Sequence, residues 1–236
     1  MATSTETELI HQLEHARALH EERAASPELA AALDRLALLQ SRRLNATYAD
    51  LAREPRYARA IAFFQTDLYG PGDFSRRDAA LARVVPLMVR ILPEGVIATI
   101  SGAMELYVLS HELDRALLEK LPPRAPLSVA TYCGAYRALA NRGARERQIA
   151  LIVAVGRTLD RYVGKTLTRS ALAAMRQPAR VAGLSALQDF LERGFAAFRQ
   201  MAGADEFLAT VETRETALMN AIFDGDRAAF PELRES

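Results

Sequence analysis

The chain has 236 residues, with 30 Lys and Arg against 29 Asp and Glu, and 50% of its residues are hydrophobic. This length is sufficient to bury a core, and a net charge of +1 creates no long-range field that would attract nucleic acid or an anionic membrane. A single cysteine excludes internal disulfides and thiolate zinc sites.

The basic residues are almost all arginine, since Lys120 and Lys165 are the two lysines. Together with abundant alanine, this bias is typical of a bacterial genome of high GC content, so it is weak evidence for phosphate binding. The N-terminal sequence has no signal-peptide pattern, and the longest apolar run, 149–155, is far shorter than the roughly 20 residues of a membrane span. We therefore expect a cytoplasmic bacterial protein.

The first helix is predicted to begin at Thr5, with Glu8 completing a capping box. It contains Glu8-x-x-His11 and a His11-to-His15 spacing, both of which occur in metal enzymes. At about 100° per residue, however, these side chains fall opposite the apolar face of the helix. We expect a solvated polar face and no metal site. The apolar face comprises Leu9, Leu13, Ala16 and His20.

A second helix is predicted to start at Ser26, with Pro27 in its first turn, and to extend to about Glu54. The third begins at Pro55 and ends at the turn 70–72. One of its faces is apolar and is more typical of a core than of a cofactor site. That face comprises Tyr57, Ile61, Phe64 and Leu68. A fourth helix is predicted to begin at Ser75 and to kink at Pro86.

The end of the third helix reads Phe-Phe-Gln-Thr-Asp-Leu-Tyr over residues 63–69. Four positions match the Phe-Phe-Leu-Glu-Glu-Leu-Tyr signature, Asp67 replaces a glutamate, and Gln65 and Thr66 depart from it. The segment resembles the FFLEELY-motif proteins, an uncharacterised bacterial family, and the similarity extends into the Gly-Pro turn and 73–78. The resemblance implies a family without an assigned activity, so it supplies no catalytic residues. The matching positions are Phe63, Phe64, Leu68 and Tyr69.

A long helix is predicted between Pro93 and Leu121, with two apolar sides and a narrow polar stripe. Such a helix lies at the centre of a bundle or against a partner subunit. It carries His111 one turn from Tyr107 and Asp114, on one face. One interpretation is a core histidine held by Asp114 or a backbone carbonyl. The other is a ligand anchor in an apolar pocket, where Asp114 fixes the tautomer of His111 and Phe64 or Tyr69 borders the pocket.

The proline-rich segment 122–126 is the best internal boundary. Further helices are predicted at about 126–141, 144–174, 179–201 and 205–224, with a possible interruption at 164–166. We predict an all-α, multi-helix bundle of about eight to ten helices with short connections, forming a single domain over 1–236. The alternative is a division into two helical halves near 122–126.

The sequence contains no residue pattern typical of a catalytic nucleophile. Cys133 lies in an apolar helical stretch, typical of a buried structural thiol, and 164–166 lacks the upstream glycine of a phosphate-binding loop. A basic stripe drifts around one helix and is interpreted as a solvated face with local ion pairs. The stripe comprises Arg157, Arg161, Lys165 and Arg169.

The function predicted first is a non-catalytic binding or interaction protein that self-associates as a homodimer and takes a small apolar ligand, with no nucleic-acid or membrane partner. The alternative is a helical-bundle enzyme with a metal or cofactor, similar to haem-oxygenase-like or ferritin-like folds. That enzyme would need ligands from other helices, because Glu105 and Glu112 lie about 100–120° from His111 on the helix. A transcription regulator is less favoured, since no basic recognition helix stands out.

Overall fold

The computed structural model describes residues 4–68, 94–121 and 126–226, together with Phe230. Over these residues the chain forms ten α-helices and no strand, which confirms the predicted all-α multi-helix bundle. In chain order the helices are α1 (Ser4–Ala25), α2 (Pro27–Thr47), α3 (Ala58–Phe63), α4 (Glu94–Lys120), α5 (Val129–Ala138), α6 (Arg142–Val163), α7 (Thr166–Ala174), α8 (Arg176–Val181), α9 (Ser185–Met201) and α10 (Asp205–Asp224).

The start of α2 follows the sequence prediction, because the Ser26 side chain accepts a hydrogen bond of 3.2 Å from the Leu29 amide. Its end does not. The helix stops at Thr47 instead of continuing to Glu54, and a 3₁₀ turn covers 51–53. Tyr48 leaves the helical conformation there and is only 5% exposed, so its burial in the core ends the helix early.

The long helix α4 occupies the centre of the bundle and packs against α1, α2, α5 and α6. One apolar side meets α1 in what we name the α1–α4 cluster. Toward its C-terminal end, Leu117 joins the α2–α5 cluster. Helices of the same chain therefore cover both apolar sides. The α1–α4 cluster contains Leu9, Ala16, Ile97, Met104 and Val108, and the α2–α5 cluster includes Leu36, Leu117, Tyr132, Tyr136, Ile149, Met219 and Ile222.

A third group of buried residues, the α9–α10 cluster, forms where α3 and a π-helical turn at 64–68 meet α9 and α10. Helices α6 and α10 each contribute to this cluster and to the α2–α5 cluster, so the two share long helices. The α9–α10 cluster includes Tyr48, Tyr57, Phe63, Val153, Phe198, Phe207 and Leu208.

Two predicted helices are interrupted. The predicted helix 144–174 is two helices, α6 and α7, which are separated at Gly164 and Lys165, within the possible interruption at 164–166. The predicted helix 179–201 is also divided, between α8 and α9. Gly183 takes a positive φ of 69°, which interrupts the helical conformation. The predicted helix start at Ser75, the kink at Pro86 and most of the 122–126 boundary lie outside the described residues. In the part of the chain that is described, no helix combines the length and apolar character needed to cross a membrane.

Candidate functional site

Tyr107 and His111 of α4 lie beside His20 of α1. The Tyr107 hydroxyl and His20 Nε2 are 2.9 Å apart, which is hydrogen-bonding distance. The ring centroids of Tyr107 and His111 are 4.3 Å apart, and those of His20 and His111 are 6.5 Å apart. All three side chains are half-buried, so they remain within reach of a ligand. We call this group the His–Tyr cluster.

The His–Tyr cluster stands at the border of the apolar α1–α4 cluster, against which Tyr107 packs. Polar contacts join the same two helices: His15 Nε2 is 3.2 Å from Glu112 Oε1, and an ion pair places Arg115 Nη1 2.5 Å from Glu22 Oε2. The face of α1 that was predicted to be solvated therefore also contacts α4. These contacts fix the register in which α1 presents His20 to α4.

Asp114, the third predicted site residue of α4, turns toward different neighbours. Its Oδ1 accepts a hydrogen bond of 2.7 Å from Gln40 Nε2 of α2. Burial raises the pKa of Asp114, while the charge of Arg145 and the hydrogen bond from Gln40 oppose the rise. Asp114 thus belongs to a set of polar side chains inside the bundle, which we call the polar layer. Its other members are Gln40, Arg43, Tyr48, Arg145 and Glu215.

Within the polar layer, a half-buried ion pair joins α2 to α10. Arg43 Nη1 lies 2.5 Å from Glu215 Oε1, and the side chains are 14% and 15% exposed. The Tyr48 hydroxyl donates to the same oxygen at 2.7 Å. Burial raises the pKa of Tyr48 most, and Glu215 raises it further. Burial lowers the pKa of Arg43, but the combined effect of Glu215, Tyr132 and Tyr48 is larger, so that pKa is raised. This pair is satisfied within the chain.

The polar layer also contains Arg145, in the first turn of α6 and only 5% exposed. Its guanidinium carbon sits 4.5 Å from the ring centroid of Tyr136, and its Nη1 donates to Gln148 Oε1 at 3.1 Å. Among the described residues, its Nε and Nη2 are buried without a hydrogen-bond acceptor. Burial raises the pKa values of Tyr132 and Tyr136, and the charge of Arg145 opposes both shifts.

The sequence did not predict His20 as a partner of Tyr107, nor Arg145 as a buried cation. For His20 a signal existed, since it shares the apolar face of the first helix. For Arg145 the signal was weaker: it falls in the first turn of a helix that has no acidic residue there, where a positive charge is disfavoured by the helix dipole.

Phe64 and Tyr69, the predicted border of the pocket, are not brought to the His–Tyr cluster by any described contact. Phe64 packs in the α9–α10 cluster, 5.9 Å from Phe207 between ring centroids. Tyr69 lies outside the described residues. In the same segment, Asp67 is 7% exposed and accepts hydrogen bonds from both Nε and Nη2 of Arg193. The described part of the segment that carries the family resemblance, 63–68, therefore packs onto α9.

Two further features considered from the sequence are Cys133 and a metal site. Cys133 is buried in α5, as predicted. In the described part of the chain, no group of three or more His, Cys, Asp or Glu side chains is arranged to hold a metal ion.

Comparison with known proteins gives one family. Residues 19–229 match the family described as "Domain of unknown function (DUF8198)", and because the match covers most of the sequence, the chain belongs to that family. The prediction of an uncharacterised family is confirmed at this level. No curated protein and no solved structure matches the chain.

Proposed function

We propose that this protein is a non-catalytic binding protein whose small ligand contacts Tyr107 and His111 in the His–Tyr cluster. The observation that carries the proposal is the grouping of His20, Tyr107 and His111, all half-buried, at the border of an apolar cluster. Small-molecule sites usually combine an apolar wall with a few polar groups that orient the ligand. Under this proposal, Asp114 acts within the polar layer, through its hydrogen bond with Gln40, and does not orient the ring of His111.

We further propose that the protein acts as a homodimer in the bacterial cytoplasm. Because helices of the same chain cover both apolar sides of α4, support for a dimer comes from α10 instead. Its outer face forms a shallow groove of mostly small side chains at helical spacing, against which a second helix can pack closely. The arginine-rich composition supports the bacterial source, and the 63–69 segment supports membership of the FFLEELY-motif group. The groove is lined by Ala209, Glu212, Thr213, Thr216, Ala217 and Asn220.

Native mass spectrometry of the untagged protein tests both parts of the proposal. We expect a mass of two chains, plus an additional mass that is lost on denaturation. His111→Ala removes a ligand contact and is expected to lose the additional mass. His11→Ala is the matched control, since it removes a histidine outside the His–Tyr cluster. Ala217→Arg places a large charged side chain in the α10 groove and is expected to yield single chains.

Each alternative has its own outcome in this experiment. Bare chains in the wild type, or equal retention of the additional mass by His111→Ala, would contradict the ligand proposal. Single chains in the wild type would contradict the dimer. An additional mass equal to that of a metal ion or known cofactor would support the helical-bundle enzyme instead.

A further inference from the structure

Arg145 presents one edge of its guanidinium, the edge formed by Nε and Nη2, to no acceptor among the described residues. The other terminal nitrogen is accounted for, because Nη1 donates to Gln148. A buried donor without an acceptor is unfavourable, and a charged one more so. Since Nε–H and one Nη2–H point in the same direction, this edge matches the two oxygens of a carboxylate.

Other arginines of this chain show what the same edge binds. Arg147 uses Nε and Nη2 to hold both oxygens of Glu105, at 2.9 and 3.0 Å. Arg176 holds Glu192 in the same way, at 2.6 and 2.9 Å. Arg193 directs the same two nitrogens at Asp67. These three edges hold a carboxylate from the chain. The edge of Arg145 is the most deeply buried of the four and has no acceptor among the described residues.

The acidic side chains near Arg145 have hydrogen-bond partners other than its guanidinium. Arg43 and Glu215 neutralise each other in their own ion pair. Asp114 is close enough for Arg145 to influence its ionisation, but its hydrogen bond goes to Gln40. Burial raises the pKa of Asp114, and the charge of Arg145 and the hydrogen bond from Gln40 oppose the rise. The position of Arg145 in the first turn of α6 adds the positive end of the helix dipole.

We propose that the Nε–Nη2 edge of Arg145 is a binding site for the carboxylate of a small organic acid, held between α4, α5 and α6. The ring of Tyr136 lies against the guanidinium and supplies an apolar, aromatic wall for the body of that acid. This site is separate from the His–Tyr cluster, which lies between α1 and α4. Because Nε and Nη2 are closed from solvent, the acid reaches them only when the surrounding helices move apart, and association is slow.

Calorimetric titration with benzoate, an aromatic carboxylate, tests the proposal, with benzamide as the uncharged compound of similar shape. We expect the wild-type protein to bind benzoate and not benzamide. Arg145→Met removes the charge at similar volume and should weaken benzoate binding by roughly tenfold or more. Arg145→Lys keeps the charge but loses the paired Nε and Nη2 donors, so this variant should also bind benzoate more weakly than the wild type. Inorganic phosphate in place of benzoate shows whether the site prefers another oxyanion.

Arg147→Met is the matched control, because Arg147 lies two residues away on α6 and its edge is already occupied by Glu105. It should bind benzoate as the wild type does, and so should His111→Ala, which separates this site from the proposed function. In a spectrum of ¹⁵N-labelled arginine, the Nε–H signal that disappears in Arg145→Met should shift when benzoate is added. Equal binding of benzoate and benzamide, tighter binding of phosphate, unchanged affinity in Arg145→Lys, or no binding would each overturn the proposal.

Discussion

Burial and the neighbouring charge of Arg145 act in opposite directions on the pKa of Asp114. Burial disfavours its carboxylate, whereas Arg145 and the 2.7 Å hydrogen bond from Gln40 favour it. Burial is the larger effect, so the pKa of Asp114 is raised. The native protein therefore binds a proton at this position more tightly than the unfolded chain does, and this difference makes stability depend on pH.

The Asp114→Asn variant tests this consequence. Where the native state holds a proton that the unfolded state has lost, the free energy of unfolding falls as pH rises. For Asp114 this interval begins near the pKa of an unperturbed aspartate, about 4, and extends upward to its raised pKa. Asparagine does not titrate, so this component should be absent from the variant. We expect the stability of Asp114→Asn relative to wild type to increase with pH across the interval, as measured by urea unfolding.

The variant Asp34→Asn is a suitable control, because Asp34 forms a more exposed ion pair with Arg23 at 2.7 Å. Its effect on stability should be small, since such pairs contribute about 0–1 kcal/mol. A stability difference for Asp114→Asn that falls or stays constant with rising pH would contradict the assignment of a raised pKa.

The sequence predicts some residues of the site and not others, for a physical reason. Tyr107 and His111 are one helical turn apart, so their proximity follows from local geometry. The contacts of Tyr107 with His20 and of Arg43 with Glu215 join residues 87 and 172 positions apart. Such contacts depend on how helices pack, which periodicity along one helix does not specify.

At the scale of elements, the segment Phe63–Leu68 is attached to α9 by several contacts of different kinds. Phe63 packs 5.3 Å from Phe190 between ring centroids, and Arg193 holds Asp67. Gly194 follows Arg193 directly, and because it has no side chain the Phe63 ring can approach the helix backbone there. The segment thus anchors α3 and the following π-helical turn to α9.

Gly194→Ala tests this close approach. A Cβ atom at Gly194 would lie 2.9 Å from Cζ of Phe63, closer than such atoms normally come. Because Phe63 is 8% exposed and surrounded by core residues, its ring has little space to move. Overpacking costs about 1–3 kcal/mol, more than the roughly 0.5–1 kcal/mol that alanine gains in a helix. We expect a net loss of roughly 1 kcal/mol in the free energy of unfolding, measured by urea denaturation.

Gly134→Ala is the matched control, since Gly134 lies within α5 and a Cβ there would meet nothing within 4 Å. That substitution should stabilise the protein by roughly 0.5–1 kcal/mol through helix propensity alone. The explanation of the segment as an anchor fails if the two glycine variants change stability in the same direction.

The boundaries of the helices were predictable where local chemistry determines them. The bounds of α10, Asp205–Asp224, agree with the predicted 205–224, since Gly203 precedes the helix and Gly225 ends it with a positive φ of 84°. The early end of α2 at Thr47 was not predictable, because it depends on Tyr48 reaching Glu215 of α10. Local signals specify caps, whereas tertiary contacts override the periodicity that would have extended α2.

At the scale of the whole molecule, the three apolar clusters are connected by helices that belong to more than one of them. Helix α4 contributes to the α1–α4 and α2–α5 clusters, and α6 and α10 contribute to the α2–α5 and α9–α10 clusters. The ion pair of Arg43 with Glu215 also joins residues on the two sides of the 122–126 boundary. These connections favour one cooperative unit over two helical halves, which remains a prediction.

Differential scanning calorimetry tests this prediction with one buried leucine from each cluster. Leu9, Leu36 and Leu208 belong to the α1–α4, α2–α5 and α9–α10 clusters, and all are at most 1% exposed. Substitution of each by alanine should cost about 2–5 kcal/mol through lost burial and a residual cavity. In a cooperative molecule, each variant lowers the temperature of one shared transition by about 2–4 °C per kcal/mol, and the calorimetric and van't Hoff enthalpies agree.

The control for these variants is Leu38→Ala, because Leu38 is 42% exposed on α2 and should shift the transition far less than Leu36→Ala. In two independent halves, Leu36→Ala and Leu208→Ala would each move a separate peak, and the wild-type enthalpies would disagree. A second peak confined to Leu9→Ala would instead show that α1 unfolds alone. Because α1 carries His20, its separate unfolding would disrupt the His–Tyr cluster and leave Arg145 in place. The calorimetric result therefore decides whether the two proposed sites depend on one folding unit.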